Sequence, residues 1–265
     1  MRDELLQFYP DVPPQNAHLV GTPQFDPYND PALALSREAF FALFGGDAQR
    51  KLICFSGGVP ETHSADTAHV RDLLELIRAG KIEGRPQVLV RPAPVDLTGR
   101  FARLQENYPE LLVAQPDWIG CERESSWELV IPRPTDTQFL CNLTRHADIN
   151  VNFGSTMTLD FAIHDRPVVN VVYDVAEPSP LGMPLWDFVR LFDHYRPVIE
   201  LGAARFAHSA SELADHVNAY LRNPALDREN RKKFVDLEIS QPIGTSSSRI
   251  VEVLRQIAQQ SPRHN

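Results

Sequence analysis

From Lys51 onward the sequence predicts an α/β fold: a doubly wound parallel sheet of about six strands, with helices on both faces and a helical carboxy-terminal tail. Three observations carry this expectation. Short apolar runs alternate with segments of helical periodicity. Pro167 introduces the run Val168-Val169-Asn170-Val171-Val172, which is too continuous for a half-exposed strand and suits a central parallel strand buried on both faces. Glycine-bearing turns, Ser56-Gly57-Gly58 and Asn152-Phe153-Gly154-Ser155-Thr156, directly follow two of the apolar runs, at the strand ends where open α/β sheets bind ligands.

In chain order, the amino-terminal segment has no regular pattern. Tyr9-Pro10, Val12-Pro13-Pro14, Thr22-Pro23 and Asp26-Pro27 interrupt it, so it reads as a linker leading into a domain. Leu52 to Phe55 reads as the first strand. Val70, Leu73, Leu74 and Ile77 fall at helical spacing, which predicts a helix over Asp66 to Ala79, closed by Gly80. Val88 to Arg91 is the second strand, Arg100 to Asn107 a helix, and Leu111 to Ala114 and Leu129 to Ile131 short strands. Thr135 and Gln138 have capping-box spacing ahead of a helix that runs to about His146. The apolar run Ala147 to Val151 then leads through the Gly-Ser-Thr turn into a short helix, Thr156 to His164. Val198 to Leu201 is expected as the last strand. Ser209 with Glu212 caps a helix bearing Leu213, Val217, Tyr220 and Leu221, and Ile250, Val253, Leu254 and Ile257 mark a final helix.

Composition excludes several function classes. The 265 residues carry a formal net charge of -9 with no basic run, which argues against nucleic-acid binding. Cys54, Cys121 and Cys141 are widely spaced without a CxxC pair, so neither a disulfide framework nor a zinc site is indicated, and a reducing, cytoplasmic compartment is expected. No apolar run approaches the roughly 20 residues of a membrane span. Asp3 and Glu4 stand where a signal peptide would be apolar, so a soluble protein is expected. The sequon Asn142-Leu143-Thr144 lies inside a predicted helix.

Gly154-Ser155-Thr156 is the strongest candidate site. Unpaired N–H groups at a helix start and two hydroxyl donors suit a phosphate, although the same residues equally serve an ordinary N-cap. Asp160 lies four residues after Thr156, on the same helix face, where its carboxylate could accept bonds from ribose hydroxyls. Gly57 and Gly58 follow the first strand without forming GxGxxG, so a dinucleotide fingerprint is absent. Arg91 ends the second strand on the same edge and can pair with a phosphate through its guanidinium fork, or form a surface salt bridge. Pro132 and Pro134 stop a short strand and leave nearby backbone groups able to read a nucleobase edge, or act as punctuation. His63 and His69 have no metal-ligand spacing, His164 beside Asp165 reads as a helix-end charge, and no nucleophile elbow is legible.

The stretch Asn152 to Val172, with Gly154-Ser155-Thr156, then Asp160, then Pro167 opening a buried strand, resembles the donor-site signature of the GT-B glycosyltransferases and of UDP-N-acetylglucosamine 2-epimerase. In those families such a turn holds a nucleotide diphosphate, and an acidic residue seven positions before the proline binds ribose; Asp160 stands seven before Pro167. Ser56-Gly57-Gly58, Arg91-Pro92 and the final helices are similar to the carboxy-terminal, Rossmann-like half of that fold, and Gly21 to Asp26 is similar to the linker between its halves. Two departures stand out. CDP-glycerol glycerophosphotransferases, which share this layout, tend to carry a histidine after the Arg-Pro pair, where this chain has Ala93, and the acid is Asp160 where glutamate is commoner.

The resemblance implies a nucleotide-sugar-binding domain over residues 46–265, preceded by a linker and lead-in segment over residues 1–45 from an amino-terminal acceptor domain that this chain lacks. The implied function is the donor-binding half of a metal-independent glycosyltransferase of polysaccharide biosynthesis, with a nucleotide diphosphate sugar, such as a UDP sugar, as substrate and no cofactor. Gly57, Gly58, Arg91, Pro132, Asn152, Gly154, Ser155 and Thr156 would bind the donor and Asp160 its ribose, while the catalytic base would lie outside the chain. A nucleotide-sugar epimerase and a non-catalytic nucleotide-binding or assembly module remain alternatives. The expected partners are the sugar donor and the acceptor domain. Self-association through an uncovered face, and peripheral membrane association of the full-length protein, are left open.

Overall fold

The apolar runs become strands: β1 (Leu52–Ser56), β2 (Gln87–Arg91), β3 (Leu112–Val113), β4 (Trp118–Ile119), β5 (Ile131–Pro132), β6 (Ile149–Asn152), β7 (Val168–Val171) and β8 (Arg205–Ala207). Six of them form one sheet in the order β3-β2-β1-β6-β7-β8, with every neighbouring pair parallel. β1, β2, β6 and β7 are buried at every position, as a sheet covered on both faces requires. The chain winds outward from β1 to β3, then returns to β6 and winds the other way to β8. The carboxyl ends of β1 and β6 therefore flank a topological switch point.

The computed structural model describes residues 2–120, 128, 130–175, 182–239 and 242–260. Its helices are α1 (Arg2–Phe8), α2 (Arg37–Ala42), α3 (Asp66–Arg78), α4 (Arg100–Gln105), α5 (Pro134–His146), α6 (Met157–Ile163), α7 (Leu185–Arg190), α8 (Arg196–Leu201), α9 (Ala210–Arg222), α10 (Arg228–Glu238) and α11 (Ser246–Gln260). The expected periodicities decide which faces are covered. Val70, Leu73 and Leu74 of α3 are buried, as are Leu213, Val217 and Tyr220 of α9. The Ser209 hydroxyl accepts the Glu212 N–H at 3.1 Å, as its spacing predicts. No described helix is long and apolar enough to cross a membrane.

The chain divides into two compact units, Ala34–Val235 and Met1–Leu33 with Asp236–Asn265. The α/β unit thus begins at Ala34, earlier than the residue 46 expected from sequence, because α2 packs on α5. Phe40 sits 5.2 Å from Phe139 and stacks on His146, and Arg37 donates to the carbonyls of Ala48, His146 and Arg50. In the other unit, the proline-rich segment forms α1 and short 3-10 turns at Pro14–Asn16, Pro23–Asn29 and Pro31–Leu33, each starting on a proline with no N–H to lose. Asp26 there caps α11 by accepting the N–H groups of Ser246 and Ser247 at 2.9 and 2.8 Å.

Other expectations are corrected. Val198 to Leu201 is part of helix α8, with Pro197 in its first turn and Gly202 ending it at φ 62°; the edge strand is β8 instead. Thr135 does not cap α5. Pro134 occupies the first turn and makes Arg133 the N-cap, while the Thr135 hydroxyl donates to Asp117 at 2.6 Å. The short strand expected over Leu129 to Ile131 is β5, which pairs antiparallel with β4 and lies outside the main sheet; Leu129 and Cys121 fall outside the described residues. Asn142 of the sequon is buried, its side chain bonded to Leu35 N and Gln138 O.

Candidate functional site

A cavity of about 600 Å³ opens at the switch point, within the roughly 300–1,000 Å³ usual for small-molecule sites. The loop after β1 supplies Gly57, Gly58, Thr62 and His63 to its wall, and the loop after β2 supplies Arg91 to Pro94. Gly154 to Met157 and Asp160 come from the turn and first residues of α6, and Phe188, Phe192 and His194 from α7 and the segment after it. Among the described residues, no group of three or more His, Cys, Asp or Glu side chains is placed to hold a metal ion.

The Gly-Ser-Thr turn is built on a buried polar network. Asn152, fully buried, accepts the N–H groups of Gly154 and Ser155 on its Oδ1 at 2.9 and 3.0 Å. The Gly154 N–H also reaches Asn170 Oδ1 at 2.8 Å, and Tyr195 donates its hydroxyl to the same oxygen at 2.7 Å. Beneath them, Asn152 Nδ2 donates to Asn150 Oδ1 at 2.6 Å, and Asn150 Nδ2 to Ser56 Oγ at 2.8 Å. Asn152 therefore shapes the turn from below and does not line the cavity. The expectation of unpaired amides at Gly154 and Ser155 is corrected: asparagine carboxamides satisfy both from within. Ser155, whose hydroxyl also accepts the Met157 N–H at 3.2 Å, lines the cavity together with Thr156 and Asp160. Gly154 stands at φ 79°, and a Cβ there would lie 2.9 Å from Val189, so both conformation and space demand glycine.

Arg91 reaches the cavity, but its Nη2 is bound by Asp136 at 2.8 and 3.0 Å, in an ion pair whose side chains are 6% and 4% exposed. The same carboxylate accepts Trp118 Nε1 at 2.6 Å and Asp117 N at 3.1 Å. Pro132 does not reach the cavity. It is an exposed residue of β5, and the residue opposite it in the ribbon, Trp118, lines the wall.

The two glycines after β1 have their amides occupied as well: Gly57 donates to Arg91 O at 2.9 Å, and Gly58 to the buried Asp66 at 2.7 Å. A Cβ on Gly57 would meet the Phe101 ring at 3.0 Å, and one on Gly58 would meet the His63 ring at 2.4 Å. Gly57 thus leaves room for Phe101, and Gly58 admits His63 to the wall. Burial, with Arg100 nearby, pushes the His63 pKa down to about 4, and burial pushes the Asp66 carboxyl up to about 7. Sequence reasoning missed His63, Asp66, Asp96, Arg100, Trp118 and Asp136. Asp96 and Arg100 carry an i,i+4 charge spacing, but nothing local marks the others.

No protein-family model and no curated protein sequence matches the chain. Solved structures do. Against a variant of the wall teichoic acid polymerase TagF the TM-score is 0.57 at 12% identity, covering 98% of this chain and 57% of that one. Against TagF soaked with CDPG for 15 minutes it is 0.58 at 14% identity, covering 98% and 55%. The UDP-GlcNAc 2-epimerase of Neisseria meningitidis, bound to UDP-GlcNAc, gives 0.54 at 12% identity, covering 96% and 59%. The chain spans little more than half the length of these proteins. The likeness establishes a Rossmann-like α/β fold of the GT-B layout.

Proposed function

We propose that this chain is the donor-binding half of a glycosyltransferase that takes a sugar from a nucleotide diphosphate sugar. One observation carries the reading: Ser155, Thr156 and Asp160 line a single cavity at the switch point of a GT-B-like sheet. Ser155, Thr156 and the guanidinium of Arg91 would donate to the diphosphate, and Asp160 would accept from ribose hydroxyls. As the bond between the sugar and the diphosphate breaks, negative charge grows on the leaving oxygen, and donors already fixed in a partly enclosed site stabilise it without reorganising. The buried asparagines beneath Gly154 and Ser155 fix the turn that carries two of those donors. No residue of this chain is assigned as the base that deprotonates the acceptor; that role falls to a second domain.

Calorimetry with UDP, CDP, GDP and dTDP tests the reading. One or more should bind, and Asp160→Ala should weaken binding by about tenfold or more, the usual worth of hydrogen bonds to a charged group. Absence of binding by all four to the folded wild-type chain would sink the donor-site assignment.

A further inference from the structure

Two of the loops that wall the cavity, the one between β1 and α3 and the one between β2 and α4, lie outside the strand ladder that fixes their neighbours. One side chain joins them. Arg100, in the first turn of α4, donates through Nη1 to the His63 carbonyl and through Nη2 to the Gly58 carbonyl at 2.8 Å and to Asp66 Oδ2 at 3.1 Å. Its Nε donates to Asp96 Oδ2 at 2.8 Å. Four acceptors, three from the segment that leads from β1 into α3 and one from the loop after β2, thus converge on one planar guanidinium, a set that the point charge of lysine could not match.

The cluster is buried and carries two carboxylates on one cation. Asp66 and Asp96 side chains are 1% exposed and that of Arg100 is 10% exposed. Each carboxylate has a further donor from its own loop: Gly58 N–H at 2.7 Å on Asp66, and the Thr98 hydroxyl at 2.6 Å on Asp96. Arg100 is absent from the cavity wall, so it can act on a ligand only through the loops that it binds.

The residue it acts through is His63. The imidazole lines the cavity, packs where a Gly58 side chain would otherwise lie, and shares a hydrogen bond of 2.7 Å between Nδ1 and Thr62 Oγ1. Its depressed pKa leaves it uncharged at neutral pH.

We propose that Arg100 is the positioning residue of this cavity: by clamping the Gly58 and His63 carbonyls to Asp66 and Asp96, it sets the loop after β1 so that the His63 imidazole faces a bound diphosphate. This rests on the nucleotide-sugar reading above. With Nδ1 bonded to Thr62, the opposite ring nitrogen, Nε2, is the one that meets the ligand. Without the clamp the Gly58 and His63 carbonyls lose the donor that ties them to Asp96, and the loops after β1 and β2 separate.

The test uses the intact chain with 15N-labelled histidine, and Asp96→Asn and Arg100→Lys as variants. The amide of Asp96→Asn keeps an oxygen for Thr98 but can turn an N–H towards Arg100 Nε. The ligand-free imidazole resonance of His63, assigned with His63→Gln, should shift in Asp96→Asn. Binding of UDP or CDP should weaken by about tenfold at temperatures where the variant stays folded. Arg100→Lys should show the same changes, enlarged. A lower melting temperature with the His63 resonance and the dissociation constant both unchanged would mark a merely structural cluster and overturn the proposal. Should Arg100→Lys fail to fold, Asp96→Asn decides alone. If the wild type binds no nucleoside diphosphate, the donor-site reading falls, and an unmoved His63 resonance in Asp96→Asn still refutes the clamp independently.

Discussion

Asp136→Ala is the sharpest test of how the cavity wall is held. The Asp136 carboxylate accepts Arg91 Nη2, Trp118 Nε1 and the Asp117 N–H, and its side chain is 4% exposed. Truncation leaves the Arg91 cation buried without its anion and strands two further donors. Breaking a buried ion pair from one side costs about 3–5 kcal/mol, and the orphaned donors add to this only in part, because the same groups relax together. The expected loss is about 4 kcal/mol, a large share of the roughly 5–15 kcal/mol that stabilises a typical domain. Urea unfolding followed by circular dichroism measures it. Adding Arg91→Met removes the stranded charge, so the double variant should be more stable than Asp136→Ala alone, with a coupling energy of about 2 kcal/mol in the cycle. A single-variant loss below about 1 kcal/mol, or additive effects, would show that the pair does not hold the wall.

Two further predictions concern the turn and the loop after β1. Gly154→Ala combines a left-handed backbone, φ 79°, with a Cβ 2.9 Å from Val189. It should cost about 2–3 kcal/mol and lower the melting temperature by roughly 5–10 °C, whereas a drop under about 2 °C would mean that the turn adopts another conformation. The pH dependence should show two opposed linkages. The folded pKa of His63 is depressed from 6.5 to about 4, so its contribution is present above pH 6.5 and is lost as pH falls through 4. That of Asp66 is raised from 3.8 to about 7, so its contribution is present below pH 3.8 and is lost as pH rises through 7. They amount to about 3 kcal/mol for His63 and about 4 kcal/mol for Asp66, and they largely cancel where the two windows overlap. Stability should therefore rise with pH between 4 and 6.5 in Asp66→Asn and fall over that range in His63→Gln; parallel curves for wild type and both variants would contradict the assignment.

Much of the architecture was legible in the residues because its signals are local. Val70, Leu73 and Leu74 announce a buried helix face by spacing alone, and the run at Val168 announces a strand covered on both sides. Val198 to Leu201 misled because a four-residue apolar run suits a strand or a helix equally, and the outcome depended on which segment filled the edge beside β7. The Gly-Ser-Thr turn and Asp160 line the same cavity because their separation of one helical turn is a local fact.

Sequence by itself thus determined the α/β class and most of its elements, including the turns at the strand ends where the cavity opens, since periodicity and turn chemistry act over a few residues. Tertiary structure decided which polar groups meet. Arg91 finds Asp136 across 45 positions, Arg100 finds Asp66 across 34, and the Gly154 amide finds Asn170 across 16. Pairings of this kind arise only when the sheet brings distant loops to one edge and removes them from water, where a buried donor or charge must have a partner. The same burial turned the Gly154 and Ser155 amides inward, towards asparagines, while Ser155, Thr156 and Asp160 line the cavity.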